Sequence, residues 1–366
     1  MRRNVDMLNG PLFKNIVRFV VPVILTNLLQ ILFNTADMII VGQYCGSISV
    51  AAVGATSALT HLIVNFFIGI SVGTGVLVSR SIGAGDNTTV HRAVHNAIPT
   101  AIVCGGLISI AGVFFAPTFL RWMDTPADVL PLSSLYMRIY FAGMIFNMVY
   151  NFSASIMRAA GETKLPLYFL SFAGVVNVGL NVVFVTALNM NVAGVALATT
   201  ISQAISAILA VIALTRRSDN CKLIFKKMRF YKAQLLQVLR YGLPAGINSS
   251  LFALSNVIIT SSINSFNNAA LLSGNGACAN IEGLLSSITS GFQTTQINFI
   301  GQNSGAQNYK RVRKIYFTAL CTMILTIAVA SSLIYLFRVP LLSLYITDSP
   351  EAILWGVKRM LYIPCL

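Results

Sequence analysis

One carboxylate, Asp37, lies in the stretch LFNTADMIIVG (32–42), and it is the only formally charged side chain between Phe19 and Ser79. Such a charge is costly in an apolar setting unless partners, water or a proton offset it, so a residue kept there is a functional candidate. Groups able to offset it occur later in the chain. Asn177 and Asn181 are spaced i,i+4 and fall on one face of a helix. Thr199 and Thr200 follow on the next apolar segment. Counted from the far ends of their segments, these groups lie roughly level with Asp37. A carboxylate, two amides and a hydroxyl form an oxygen-rich nest suited to a proton or to a small hard cation such as Na+. Buried amides also bridge helices structurally, and for the Asn pair that alternative stands beside the ligand reading.

Glu282, in CANIEGLLSSITSGF, is the other acidic residue inside an apolar span, and the same cost argument makes it a candidate in the second half of the chain. His61 and Asn65 are spaced i,i+4, and a lone histidine there reads better as a hydrogen-bonded packing residue than as a relay. Pro22 and Pro244 each remove a backbone donor inside a predicted helix, which favours a bend or hinge. GISVG (69–73) matches a hydrolase pattern that needs a strand–turn–helix context; mid-helix, Gly69 and Gly73 read instead as a small-xxx-small packing face. No paired catalytic constellation, phosphate loop or metal-ligand spacing is present. The six cysteines are scattered, so neither an enzyme, a cofactor, a disulfide nor a bound metal is expected.

These residues need long apolar elements to hold them. The chain has 366 residues, 56% hydrophobic and 10% charged, with a mean hydropathy of +0.76, far from the composition of a soluble domain. Its pattern predicts helices over 16–41, 50–79, 94–116, 133–157, 165–188, 191–214, 235–263, 269–300 and 314–337, with a tenth starting near 352. Each full segment is long enough to cross a bilayer core of about 30 Å. Of the 25 Lys and Arg residues, 20 fall in the N-terminus and alternate loops (80–93, 158–164, 215–240 and 301–314). The positive-inside pattern therefore predicts a cytoplasmic N-terminus, and it accounts for the net charge of +15 without nucleic acid. The first residues read as an amphipathic lead-in, and 215–240 as a basic linker with an amphipathic stretch along anionic headgroups.

The two sides of that linker match. Pro22 and Pro244, Asn34 and Asn256, and VGA (53–55) and NGA (275–277) are all related by a shift of 222. IGAGDN (82–87) resembles IGQNSGAQN (300–308), and MDTPADV (123–129) resembles ITDSPEA (346–352). Six helices precede the second copy, so both copies run the same way across the membrane. This predicts an all-α polytopic protein of two parallel six-helix bundles about an axis along the membrane normal. The bundles would be 1–214 and 241–366. The second is expected to be incomplete, about ten of twelve helices in all, as in a truncated product.

The pieces LFNTADMIIVG, GISVGTGVLVSRSIGAGD, MRAAGETKLP, NVGLN, GVALATTISQ and IGQNSGAQNYKRVRK, in this order from about residue 8 onward, resemble the multidrug and toxic compound extrusion (MATE) family, its DinF-like bacterial branch most of all. The resemblance implies two bundles around a central cavity that alternate between inward and outward openings. They would export organic cations and amphiphiles against H+ or Na+ entry. It implies a multi-pass protein of the bacterial inner membrane, monomeric, with membrane lipid and a small cationic or amphiphilic substrate as its partners. It places Asp37 at the family's coupling aspartate, Pro22 at the bend of the first helix, and Asn177 and Thr199 at cation-site positions. Asn181 departs from the family, where many members carry an aspartate. Two alternatives stand beside this exporter. One is a flippase for a lipid-linked precursor, against which both intramembrane charges being acidic counts; the other is an inactive truncated remnant.

Overall fold

Equal helix lengths make the duplication visible. In the computed structural model, which describes residues 4–123, 125–264, 266, 269–343 and 350–360, the first helix of each half has 33 residues and the second has 37. In chain order the α-helices are α1 (Leu12–Tyr44), α2 (Ser47–Gly83), α3 (Asn87–Trp122), α4 (Leu130–Ala142), α5 (Met144–Ala159), α6 (Lys164–Val182) and α7 (Asn191–Thr215). The second half supplies α8 (Lys232–Asn264), α9 (Ala269–Gly305), α10 (Tyr309–Leu336), α11 (Arg338–Ser343) and α12 (Pro350–Met360). No strand occurs among the described residues. The matched motifs containing Asp124 and residues 346–349 lie partly outside those residues, as does Cys365.

The helices outrun their apolar runs. At about 1.5 Å per residue, α2 is roughly 55 Å long, well beyond a bilayer core, so hydropathy marks only its middle. Among the described residues six helices are long and apolar enough to span, or seven when α4 and α5 count as one bent span. Each of the ten expected segments nonetheless has a helical counterpart, the fourth as the pair α4 and α5 and the tenth as α12. α8 and α9 are long enough to cross but richer in polar residues, whereas α11 and α12 are short. The single helix expected over 133–157 is broken at Gly143, where the chain bends by 44°. A Cβ on Gly143 would meet the Thr200 side chain at 2.7 Å, so the break lets α7 approach closely. The N-terminal lead-in is not helical before Leu12; the Asp6 carboxylate accepts from the backbone N–H groups of Leu8 and Asn9. Between α7 and α8, residues 216–231 hold only a 3-10 turn, Phe225–Lys227, and the rest of the expected linker is the start of α8.

Caps repeat as well. Asp86 accepts from the Thr89 N–H at 3.0 Å ahead of α3, and Asn308 accepts from the Arg311 N–H at 3.2 Å ahead of α10, again 222 residues apart. Asp86→Ala is expected to cost about 1 kcal/mol, read as a lower thermal unfolding midpoint. The bonds from Thr89 hold the Asp86 carboxyl below its usual range, so the charged cap stabilises above the unfolded pKa and is lost as pH falls through the lowered one.

Close helix crossings draw the axis between the halves. A Cβ on Gly83 would strike the carbonyl of Gln302, and one on Gly305 would strike the carbonyl of Arg80. Each contact maps onto the other under the shift of 222, so α2 and α9 cross at the pseudo-two-fold axis. Further along α2, Gly69 and Gly73 pack against Gly246 and Gly242 of α8. This is the small-residue contact expected of GISVG, and GLPAG supplies its partner face. On the N-terminal face the halves are tied by hydrogen bonds from Asn303 to the Met7 carbonyl (2.9 Å) and from Gln302 to the Ala159 carbonyl (2.8 Å). Toward the other end, α1, α2 and α9 carry exposed polar side chains, among them Gln30, Asn34, Ser57, His61, Asn280 and Ser286.

Candidate functional site

α1 carries Asp37 into the groove between α6 and α7. The residue is 8% exposed, with Ile40 and Val41 beyond it packed against Val185, Val192 and Val195. Asn181 donates to Asp37 Oδ1 at 2.5 Å, and Thr199 donates to Asp37 Oδ2 at 3.2 Å. The other amide hydrogen of Asn181 reaches Asn177 Oδ1 at 3.3 Å, and Asn177 donates to Thr199 Oγ1 at 3.4 Å. The four side chains thus close a ring of hydrogen bonds on one carboxylate. Asn177 and Asn181 are both buried because the i,i+4 spacing turns both toward α1. Directly beyond Asn181 the helix widens into a π-helical turn, Val183–Ala187, a distortion often found beside functional sites.

One atom of this ring is unspent. Asn181 Oδ1 is buried and accepts no hydrogen bond. With the free lone pairs of Asp37, it leaves the nest short of positive charge or of donors. That donor set fits a proton carried by Asp37 or a small hard cation held by oxygens.

Thr200 is not part of the nest. Its hydroxyl donates to the Ile139 carbonyl at 3.3 Å and its methyl packs on Gly143. Two tyrosines on α4 do belong to the surroundings and were missed in the sequence. Tyr136 and Tyr140 stack with ring centroids 6.0 Å apart, and Tyr136 packs against the cluster that Ile40 and Val41 form just beyond Asp37. Their i,i+4 aromatic spacing was the available signal.

Glu282 lies apart from Asp37, in the other half. Arg359 of α12 donates to Glu282 Oε2 at 2.5 Å and also binds the Asn275 carbonyl at 3.0 Å and its side-chain oxygen. The sequence reading took the intramembrane charges as wholly acidic. The pair corrects this: Glu282 has a cationic partner, and the acid left to weigh against an anionic cargo is Asp37. His61, expected to be a packing residue, is exposed on α2 instead. Pro22 is buried within a continuous α1, with the Thr26 hydroxyl bonded to its carbonyl at 2.7 Å, and Pro244 is exposed within a continuous α8.

A duplicated, all-helical, multi-pass architecture with a carboxylate nest inside one half is that of a membrane transporter. The MatE family profile matches residues 22–183 and 244–366, and the chain belongs to that family. Two curated relatives illustrate its range. "Probable multidrug resistance protein YpnP" of Bacillus subtilis is 28% identical over 361 residues, covering 98% of this chain and 80% of the relative. "FAD transporter" of Shewanella oneidensis is 23% identical over 377 residues, covering 100% of this chain and 81% of the relative. Among solved structures, an outward-facing multidrug resistance MATE family transporter of the MOP superfamily superposes with a TM-score of 0.91 at 22% identity. That match covers 100% of this chain and 81% of the other.

Proposed function

We infer that the protein exports organic cations or amphiphiles across the bacterial inner membrane, driven by H+ or Na+ entry through Asp37. The observation that carries this reading is the carboxylate nest, where a buried acid meets three neutral side chains, no counter-cation among the described residues and an unspent acceptor on Asn181. A site of that make-up changes its affinity for a proton or Na+ whenever helix movement alters its hydration, which is what coupling requires. The multidrug names of relatives such as the Bacillus subtilis protein support the choice of cargo.

In this reading the basic face bearing the N-terminus is cytoplasmic, and the contacts of Gly83, Gly305, Gln302 and Asn303 close it. The exposed polar side chains at the other end of α1, α2 and α9 line a water-filled cleft, since lipid would penalise them. Residues 1–214 and 241–366 then move as two bodies joined by 215–240, with Pro22 and Pro244 as bends that absorb the change. The unit is a monomer, and Glu282 serves to anchor α12 through Arg359 rather than to bind the coupling ion.

The test is dye movement in proteoliposomes, with proton and sodium gradients imposed separately on a fluorescent organic cation. Gradient-dependent movement under one ion is the expected result and names that ion. Folded protein that moves no dye under either gradient overturns the reading. Within it, Asn181→Ala removes one donor to the carboxylate, and a hydrogen bond to a charged group is worth about one power of ten or more. The concentration of driving ion needed for half-maximal transport is expected to shift by roughly tenfold in that variant.

A further inference from the structure

The pseudo-symmetry sets two surfaces side by side. On α3 the linker between the halves is held down by three neighbouring positions. His95 Nε2 accepts from the Ile224 N–H at 3.0 Å, Asn96 Oδ1 accepts from the Tyr231 N–H at 3.3 Å, and the Arg92 guanidinium lies 5.9 Å from the Tyr231 ring. At a shift of 222 the counterparts on α10 are Phe317, Thr318 and Lys314. There no hydrogen bond from a linker backbone is found among the described residues. Together with Lys310, Arg313 and the first turn of α1 (Leu12 and Phe13), these residues line a groove of about 740 Å³.

The chemistry of this groove differs from that of the surface on α3. His95 and Asn96 both accept from the linker backbone, whereas of their counterparts Phe317 offers no acceptor and Thr318 a hydroxyl. Phe13 is 62% exposed and Phe317 49% exposed, giving an apolar floor. Lys310, Arg313, Lys314 and Phe317 follow i, i+3, i+4, i+7 spacing and so share one face of α10. Arg313 lies 5.9 Å from the Phe317 ring, and none of the three cations is in an ion pair among the described residues. Beyond the groove the apolar surface continues along α10 through Ile324 and Leu325, 56% and 66% exposed.

We propose that this groove is a binding site for one anionic phospholipid. The headgroup phosphate sits against Lys310, Arg313 and Lys314, and an acyl chain runs over Phe13 and Phe317 toward Ile324. Charge complementarity selects the lipid over a peptide: three unpaired cations at the end of an apolar stripe match a phosphate joined to a hydrocarbon chain. The site is independent of the transport reaction, so it stands whether or not the coupling scheme does.

The experiment compares phosphatidylglycerol with phosphatidylcholine, both offered in mixed vesicles to the full chain, with retained lipid counted by native mass spectrometry. The wild type is expected to keep phosphatidylglycerol in preference. Changing Lys310, Arg313 and Lys314 together to Gln is expected to lower its retention by about tenfold or more. A charge-matched control at Arg121, Arg138 and Arg338, toward the opposite ends of the helices, is expected to leave retention unchanged. No preference in the wild type, undiminished retention in the triple variant, or equal loss in the control overturns the proposal. Wild-type protein alone gives a second arm that needs no variant. A photoactivatable phosphatidylglycerol is expected to label peptides spanning 12–13 and 317–325, and label confined to other segments overturns the site, including the case in which a protein segment fills the groove.

Discussion

Gradient-driven transport is expected to fall to background in Asp37→Asn, with the protein still folded and inserted. The two side chains have nearly the same shape, so the packing of Ile40 and Val41 against Val185, Val192 and Val195 is retained. The change falls on charge and on donor count. In the wild type, Asn181 and Thr199 both donate to the carboxylate, which accepts on both oxygens. An amide at position 37 keeps one acceptor and turns the other into a donor facing donors, and it can neither take up a proton nor balance a cation. Because Asp37 is the only charge between Phe19 and Ser79, nothing nearby on α1 or α2 substitutes for it. Asp37→Glu separates charge from position: the carboxylate is retained but displaced by one methylene from Asn181 and Thr199. It is expected to transport measurably yet more slowly than the wild type. The check is dye efflux under each gradient, paired with a thermal melt of each variant. Ion-driven efflux by Asp37→Asn at the wild-type rate removes the coupling role from Asp37.

The sequence carried this site unevenly, for reasons of geometry. Depth counting along helices of known rise was enough to bring Asn177, Asn181 and Thr199 level with Asp37, because α6 and α7 flank α1 without a break at that level. The same counting could not choose between Thr199 and Thr200. Adjacent residues point about 100° apart on a helix, and only the packing of α7 decides which of them faces α1. Tyr136 and Tyr140 stayed hidden because the bend at Gly143 shifts α4 relative to the single straight span expected there. Arg359 stayed hidden for a related reason. It follows a short, weakly apolar stretch and so reads as a loop charge until α12 packs on α9 and delivers it to Glu282. The duplication was the most legible feature, since a constant shift of 222 survives changes of side chain that erase individual motifs.

Three glycines of similar appearance in the sequence are expected to respond to alanine in three different ways, and this tests the duplicated architecture most directly. At Gly69 an added Cβ would lie 2.3 Å from the Gly246 backbone, where no side chain can rotate away. Gly69→Ala must push α2 and α8 apart, loosening the small-residue contact that joins the halves, and it is expected to destabilise by about 2 kcal/mol or more. Its pseudo-symmetric partner is Gly291 on α9. There the added Cβ meets Cγ1 of Ile24 at 2.5 Å, a side-chain atom standing where the Gly246 backbone stands in the other crossing. Ile24 is β-branched and held to one preferred χ1 in a helix, so relief takes a small shift of that side chain, and Gly291→Ala is expected to cost about 1–2 kcal/mol, less than Gly69→Ala. At Gly106 on α3 an added Cβ meets nothing within 4 Å. Alanine there removes backbone freedom from the unfolded chain at no steric cost, and a gain of roughly 0.5–1 kcal/mol is expected. The order of thermal midpoints, Gly106→Ala above wild type, Gly291→Ala below it and Gly69→Ala lowest, is the measurement. If Gly69→Ala melts with Gly291→Ala, the α2–α8 crossing is no tighter than its α1–α9 twin, and the close contact between Gly69 and Gly246 does not hold the two halves together.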